Sequence, residues 1–183
     1  MKVRRVVTGH DDAGSSVLVS DEQVAPVPQS LEPGIQFIQL WGADQIPSLP
    51  TDGREPARSS YFPPPGGVRF AMLSLAPGVL EGPPSFLDTP GADIGAALLE
   101  VETTMPGLLA TLELDNPGMH TTDTIDFGLV LSGELWLELD DGAAVRLGPG
   151  DTFVQNGTRH AWRNRSDEPA VLVVALVGAE RFG

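Results

Sequence analysis

An all-β barrel is the fold this sequence predicts, and three observations carry the prediction. Short alternating apolar runs recur from residue 119 to residue 177, divided by Gly, Asn, Asp and Pro turns. Gly numbers 21 and Pro 17 among 183 residues, an aperiodic excess that signals many turns rather than long helices. No helical crossover lies between the runs, so their pairing is antiparallel.

The elements follow in chain order. Residues 1–66 are expected to form an N-terminal arm. Its short strands are Arg4 to Val7 and Ser16 to Ser20, around the polar turn at His10 to Gly14. Asp21 to Pro33 is rich in turn residues, and Gly34 to Trp41 alternates as a strand. Ile46 to Pro65 holds six prolines and reads as loop. Such strands cannot bury themselves alone, so the arm packs on the barrel or on a partner subunit. The barrel is assigned to residues 67–183, starting with a strand at Val68 to Leu75. Residues 76–116 form an insertion: loop around Pro83, Pro84 and Pro90, then a helix at Ala92 to Val101 with Asp93 early in it and Pro106 closing it. Leu108 to Leu114 suits helix or strand equally. Strands then follow at Ile125 to Leu131, Glu134 to Leu139, Ala144 to Leu147, Thr152 to Gln155, His160 to Asn164 and Ala170 to Val177. Asp140-Asp141-Gly142 and Asn156-Gly157 are hairpin turn signals.

Composition excludes several functions. Asp and Glu number 25 against 11 Lys and Arg, a formal charge of -14. A chain this acidic does not grip phosphate backbones or anionic membranes, so neither nucleic acid nor membrane is an expected partner. It has no cysteine, hence no disulfide and no thiolate-bound metal. The basic start, Met1 to Arg5, is not followed by the apolar run of a secretory signal, and the cytoplasm is the default location. No Gly-x-Ser-x-Gly elbow and no phosphate-cradling loop is present.

The chemistry-bearing residues gather in two stretches. Of the three histidines, His120 lies in Pro117-Gly118-Met119-His120-Thr121-Thr122-Asp123-Thr124-Ile125-Asp126, and His160 closes the stretch from Gly150. Side chains alternate along a strand, so His120, Thr122, Asp126, Gly128 and Val130 share parity, as do His160 and Trp162. Phe127, Leu129 and Leu131 take the opposite parity and suit packing between barrel and arm. If both strands face the lumen, His120, Asp126 and His160 converge. Two imidazoles and a carboxylate with open positions suit one divalent transition metal, Fe, Mn, Ni, Co or Zn. Thr122 suits orienting a water. Gln155 is a further oxygen donor, and Trp162 and Trp136 are candidate aromatic contacts for a substrate. Arg159 and Arg163 read as surface residues. Hydrogen-bonding or core roles for all of these remain open.

At these positions the chain resembles the cupin superfamily, specifically its small single-domain members, over residues 118–177. His120 matches the first motif's first His, Thr122 stands where its second His is usual, Asp126 replaces Glu, and Gly133 follows after six residues. The second motif matches at Gly150-Asp151, Gly157, His160 and Asn164, with Gln155 in place of Pro and one residue fewer after Gly-Asp. The resemblance implies a double-stranded β-helix, a jelly-roll barrel. It also implies a homodimer, commonly formed by exchange of N-terminal strands. It implies a metalloenzyme, whether oxygenase, decarboxylase, isomerase or cyclase, acting on a small molecule of aromatic or polyketide-like type from secondary metabolism. The missing second His keeps open an alternative: a non-catalytic small-ligand-binding barrel with a degenerate, metal-free site.

Overall fold

Alternation at period two becomes a barrel of two facing antiparallel sheets. The computed structural model describes residues 1–82, 90–113 and 115–182. A hairpin comes first, β1 (Val3–His10) and β2 (Ser16–Val24). The larger sheet is built from β3 (Ile35–Ala43), β4 (Val68–Leu75), β5 (Thr124–Ser132), β8 (Thr152–Asn156) and β10 (Ala170–Gly178), in the order β3-β4-β10-β5-β8. The smaller sheet orders β7 (Ala144–Leu147), β6 (Leu135–Glu138) and β9 (Ala161–Arg163). All described pairings are antiparallel. The fold is all-β apart from short helical segments, as the sequence predicts. None of the described helices is long and apolar enough to cross a membrane.

The core lies between the sheets. Ala71, Leu75, Val130, Leu172, Val174 and Leu176 from the larger sheet meet Leu135 and Trp162 from the smaller one. Gly128 and Phe153 stand directly across from one another on β5 and β8. The Phe153 ring fills the space over the glycine and packs on Trp162, ring centroids 4.6 Å apart. Gly133, where β5 turns into β6, has φ +72°, and a Cβ there would sit 2.6 Å from Ala170 Cα.

Three segments differ from the sequence expectation. Asp21 to Val24, expected as turn, continues β2. The cause is pairing with β1, where Val3 faces Val24 and the ion pairs Arg4–Asp21 and Arg5–Glu22 run along the hairpin. β3, expected in the arm, is an edge strand of the barrel sheet. Among the described strands only β1 and β2 lie outside both barrel sheets, and Val3 and Val24 pack on Ile38, Leu40 and Met72. The third is Leu108 to Leu114, where residues 108–113 hold a 3-10 turn at Leu109–Thr111 and a single bridge at Leu112, and Leu114 lies outside the described residues.

The insertion's helix is α1 (Ile94–Thr104). The Asp93 carboxylate caps it by accepting from Ala96 N–H at 3.0 Å. Its Val101 joins Met105 and Leu108 in a second core against Leu31, Phe37, Tyr61 and Phe62. The loop expected around Pro83 and Pro84 lies outside the described residues.

The Gly128–Phe153 fit is testable. A Cβ at Gly128 would stand 2.1 Å from the Phe153 ring, which Trp162 holds in place. Gly128→Ala is expected to destabilise the fold by about 1–3 kcal/mol in urea denaturation. A wild-type midpoint would show instead that the ring gives way freely.

Candidate functional site

His120 and His160 lie on neighbouring stretches because the backbone pairs them. His120 N–H donates to His160 O at 2.9 Å, and His160 N–H donates to His120 O at 3.0 Å. The imidazole centroids are 4.2 Å apart at 49°. An ion pair reinforces the pairing. Arg159 donates from Nε and Nη2 to the two carboxylate oxygens of Glu113, both at 2.6 Å, and from Nη1 to Asp140. Gln155 secures the turn that leads into His160, its amide nitrogen donating to Thr158 O at 3.1 Å and Thr158 Oγ1 at 2.6 Å.

Each ring is held by a carbonyl two residues earlier. His120 Nδ1 lies 3.0 Å from Gly118 O, and His160 Nδ1 lies 2.9 Å from Thr158 O. A carbonyl only accepts, so both Nδ1 atoms carry the proton and both Nε2 atoms present lone pairs. His160 is 2% exposed and His120 half-buried. Burial lowers the His120 pKa, opposed by the Gly118 hydrogen bond and the Glu113 charge. Burial, joined by the neighbouring His120, pushes His160 down to about 4. At neutral pH the pair is uncharged.

Asp126 faces the lumen from β5, with Leu176 beside it on β10 and Gln155 beside it on β8. It is 7% exposed, and its Oδ1 is buried without a hydrogen-bond partner. Burial pushes its carboxyl up to about 6, with Thr124 pulling the other way. Thr122 is buried and shares a 2.8 Å hydrogen bond with the Thr124 hydroxyl.

The sequence expected His120, Asp126 and His160 to converge on one metal. The structure brings the two imidazoles together. Among the described residues, however, no group of three or more His, Cys, Asp or Glu side chains could hold a metal ion. Aspartate is one methylene shorter than the glutamate it replaces. The two imidazole nitrogens therefore fit as metal donors, and the carboxylate does not complete a three-donor set.

The other predicted residues divide. Trp162 is buried, its ring 6.1 Å from His160 in an edge arrangement, so it forms an apolar wall beside the pair. Trp136 stands apart. It lies across from Arg163, on the opposite face of β6 from Leu137 and its neighbour Trp162. Its indole donates to Glu134 and lies under Arg165, 5.4 Å from the ring centroid. Arg163, read as a surface residue, is buried and donates to Leu80 O, Pro117 O and Glu138, because the insertion covers it. Asn164 donates to Leu75 O and Glu168 O and accepts from Ser166, a structural role.

Two participants carry no sequence signal. Glu113 lies in the ambiguous stretch before the first motif. Tyr61 comes from the proline-rich loop; burial raises its phenol pKa, and the Asp126 charge adds to the shift.

The structure is a small antiparallel β-barrel in which two histidines, one ahead of β5 and one immediately before β9, are paired through their backbones. Residues 113–176 match the family model for the cupin domain. Over that stretch the chain is similar to small cupin-family proteins. It is 44% identical over 84 residues to phomopsin biosynthesis cluster protein C' of Diaporthe leptostromiformis, covering 45% of this chain and 41% of that one. It is 40% identical over 60 residues to the cupin-domain-containing oxidoreductase srdB of Neurospora crassa, covering 32% and 31%. The matches thus span less than half the length of these relatives. Among solved structures, the polyketide cyclase RemF from Streptomyces resistomycificus superposes with TM-score 0.46 at 14% identity, over 87% of this chain and 77% of that one.

The tautomers are directly measurable. Long-range 1H–15N correlation spectra of chelator-treated protein at pH 7 are expected to show both imidazoles protonated at Nδ1. His160 should stay neutral as the pH falls, until it approaches about 4, because burial lowers its pKa. Protonation at Nε2 in either ring would contradict the carbonyl contacts.

Proposed function

We propose that this chain is an enzyme of the cupin type acting on a small organic molecule, with the His120–His160 pair as its reactive centre. The observation that carries the reading is the pair itself: two neutral imidazoles 4.2 Å apart, each locked through Nδ1 so that Nε2 is available. Relatives named for biosynthesis clusters and for oxidoreductase activity support an enzyme of secondary metabolism.

His120 Nε2 and His160 Nε2 would hold a divalent transition metal, with water or substrate completing the coordination. Bound there, such an ion supplies Lewis-acid polarisation of a substrate oxygen or a centre for oxygen chemistry. Fe, Mn, Ni, Co and Zn all suit nitrogen donors. The protein's own groups take further parts. With its pKa lowered to about 4, His160 stays unprotonated at neutral pH, which leaves its Nε2 lone pair free for the metal. Asp126, near 6, is the group suited to hold and return a proton close to neutral pH. Thr122, through its bond to Thr124, suits orienting a water. Trp162 and Phe153 form an aromatic wall that suits a flat, aromatic or polyketide-like substrate.

A second reading, a small-ligand-binding barrel without turnover, is favoured by one observation. The described residues gather no three-donor cluster.

Metal content separates the two. Elemental mass spectrometry on untagged protein, prepared without chelator or nickel resin, is expected to find about one transition metal per chain. His160→Ala should weaken binding by more than about 100-fold while leaving the β-sheet circular dichroism intact. A wild type that is empty and refuses added Fe, Mn, Ni, Co and Zn would leave the binding reading. Full occupancy in His160→Ala would reject His160 as a ligand.

A further inference from the structure

Between the β5–β8 ladder and the histidine bridge the strand register does not match. The last pair of the ladder is Ile125 with Asn156, and the next is the isolated bridge of His120 with His160. Four residues, 121–124, therefore lie on one side against three, 157–159, on the other. An antiparallel ladder does not run through unequal lengths, so its hydrogen bonds break there. Among the described residues no backbone hydrogen bond joins 121–123 to 157–159. The two loops that lead to the imidazoles are left unpaired with each other.

One side chain spans the gap. Arg181, which follows β10, donates from Nη2 to Thr122 O at 2.8 Å and to Gly157 O at 2.9 Å. Its Nε donates to the Asp123 carboxylate, and Ala179 N–H donates to Asp123 O at 2.8 Å, so the segment after β10 lies along the first loop. Gly157 leaves the room: a Cβ there would stand 3.1 Å from Arg181 Nη2 and 3.0 Å from Thr122 O. We propose that Arg181 is a positioning residue for the His120–His160 pair, closing the gap that the strand register leaves between the loops carrying the two imidazoles. A charged donor makes a stronger hydrogen bond than a neutral one, and here one nitrogen serves both loops. The Asp123 ion pair is the lesser part. Its two side chains are 49% and 61% exposed, and pairs so exposed contribute little. What the clamp reaches is the carbonyl next in line: Thr158 follows Gly157, and its O accepts from the His160 ring. Gln155 ties Thr158 within its own turn, whereas Arg181 ties that turn to the loop after His120.

This role rests on the pair being the reactive centre, but its test needs no metal. Long-range 1H–15N spectra of metal-free Arg181→Ala at pH 7 are expected to show His160 as two tautomers, an Nε2-protonated form beside the Nδ1 form, because Thr158 O is no longer held against the ring. Zn(II) affinity of the same variant should fall by about 10-fold or more, with the far-ultraviolet circular dichroism unchanged. Asp123→Ala removes the ion pair and keeps both carbonyl bonds, so it should retain the wild-type spectrum. Arg181→Met keeps the aliphatic stem without the donors and takes the place of Arg181→Ala should that variant fail to fold. A wild-type imidazole spectrum in the Arg181 variant overturns the proposal, even with a lowered melting temperature, as does an equal change in Asp123→Ala. A wild type that refuses Zn(II) would reject the metal reading alone, since the spectra decide the clamp.

Discussion

The reciprocal backbone pairing of His120 with His160 is the constraint on which the rest of the site depends. It is one isolated bridge, two hydrogen bonds of 2.9 and 3.0 Å. Yet it joins the insertion to the smaller sheet. On its far side His120 pairs with Leu112, and Glu113 N–H donates to Met119 O. The segment before the first motif is thereby added to the edge of the sheet that begins at β9. The Arg159–Glu113 ion pair spans the same junction, and Arg163 reaches Pro117 O beneath it. The histidines are not placed by long strands. They are placed by a short seam that four separate interactions hold shut.

Much of the fold could be read from the residues, and the reason is local. Val68 to Leu75 and Ala144 to Leu147 are strands with the same limits that their alternation predicts. Asp140-Asp141-Gly142 turns as its composition demands, with positive φ at Asp141 and Gly142. Expectation failed where distant partners decide. Asp21 to Val24 has turn composition, but β1 offers it a paired edge and cations for its acids. Arg163 reads as a surface charge until three backbone and side-chain acceptors converge on it from the insertion and β6.

The site was legible in part for the same reason. His120 and His160 lie in recognisable motifs, and their meeting follows from parity and hairpin order. Asp126 lies on β5 across from Leu176 and Gln155, buried with an unpartnered Oδ1, and among the described residues it forms no group of three with the imidazoles that could hold a metal. Tyr61 was invisible because nothing in a proline-rich loop announces that it folds back toward β5. Trp136 and Trp162 are one type of residue on adjacent strands. Strand parity alone sends one to the core and the other to a surface cluster of ions.

Burial acts on the site's titrating groups in opposite directions, and the outcome is an environment of acceptors. Desolvation disfavours charge, so it lowers both imidazoles and raises the carboxyl of Asp126. At pH 7 the imidazoles are neutral, with lone pairs at Nε2, and Asp126, near 6, is mostly ionised. The Nδ1 protons are already spent on Gly118 and Thr158 carbonyls, and the Gln155 amide protons on Thr158. What remains includes three free acceptors, the two Nε2 lone pairs and the unpartnered Oδ1 of Asp126. Such a surface is satisfied by a cation or by a molecule that brings its own O–H groups. A water brought by a metal, or a phenol held there, would supply donors to these acceptors. The metal-centred and ligand-binding readings therefore make the same demand on chemistry. They differ in whether the positive charge comes from an ion or the hydrogen bonds come from the ligand alone.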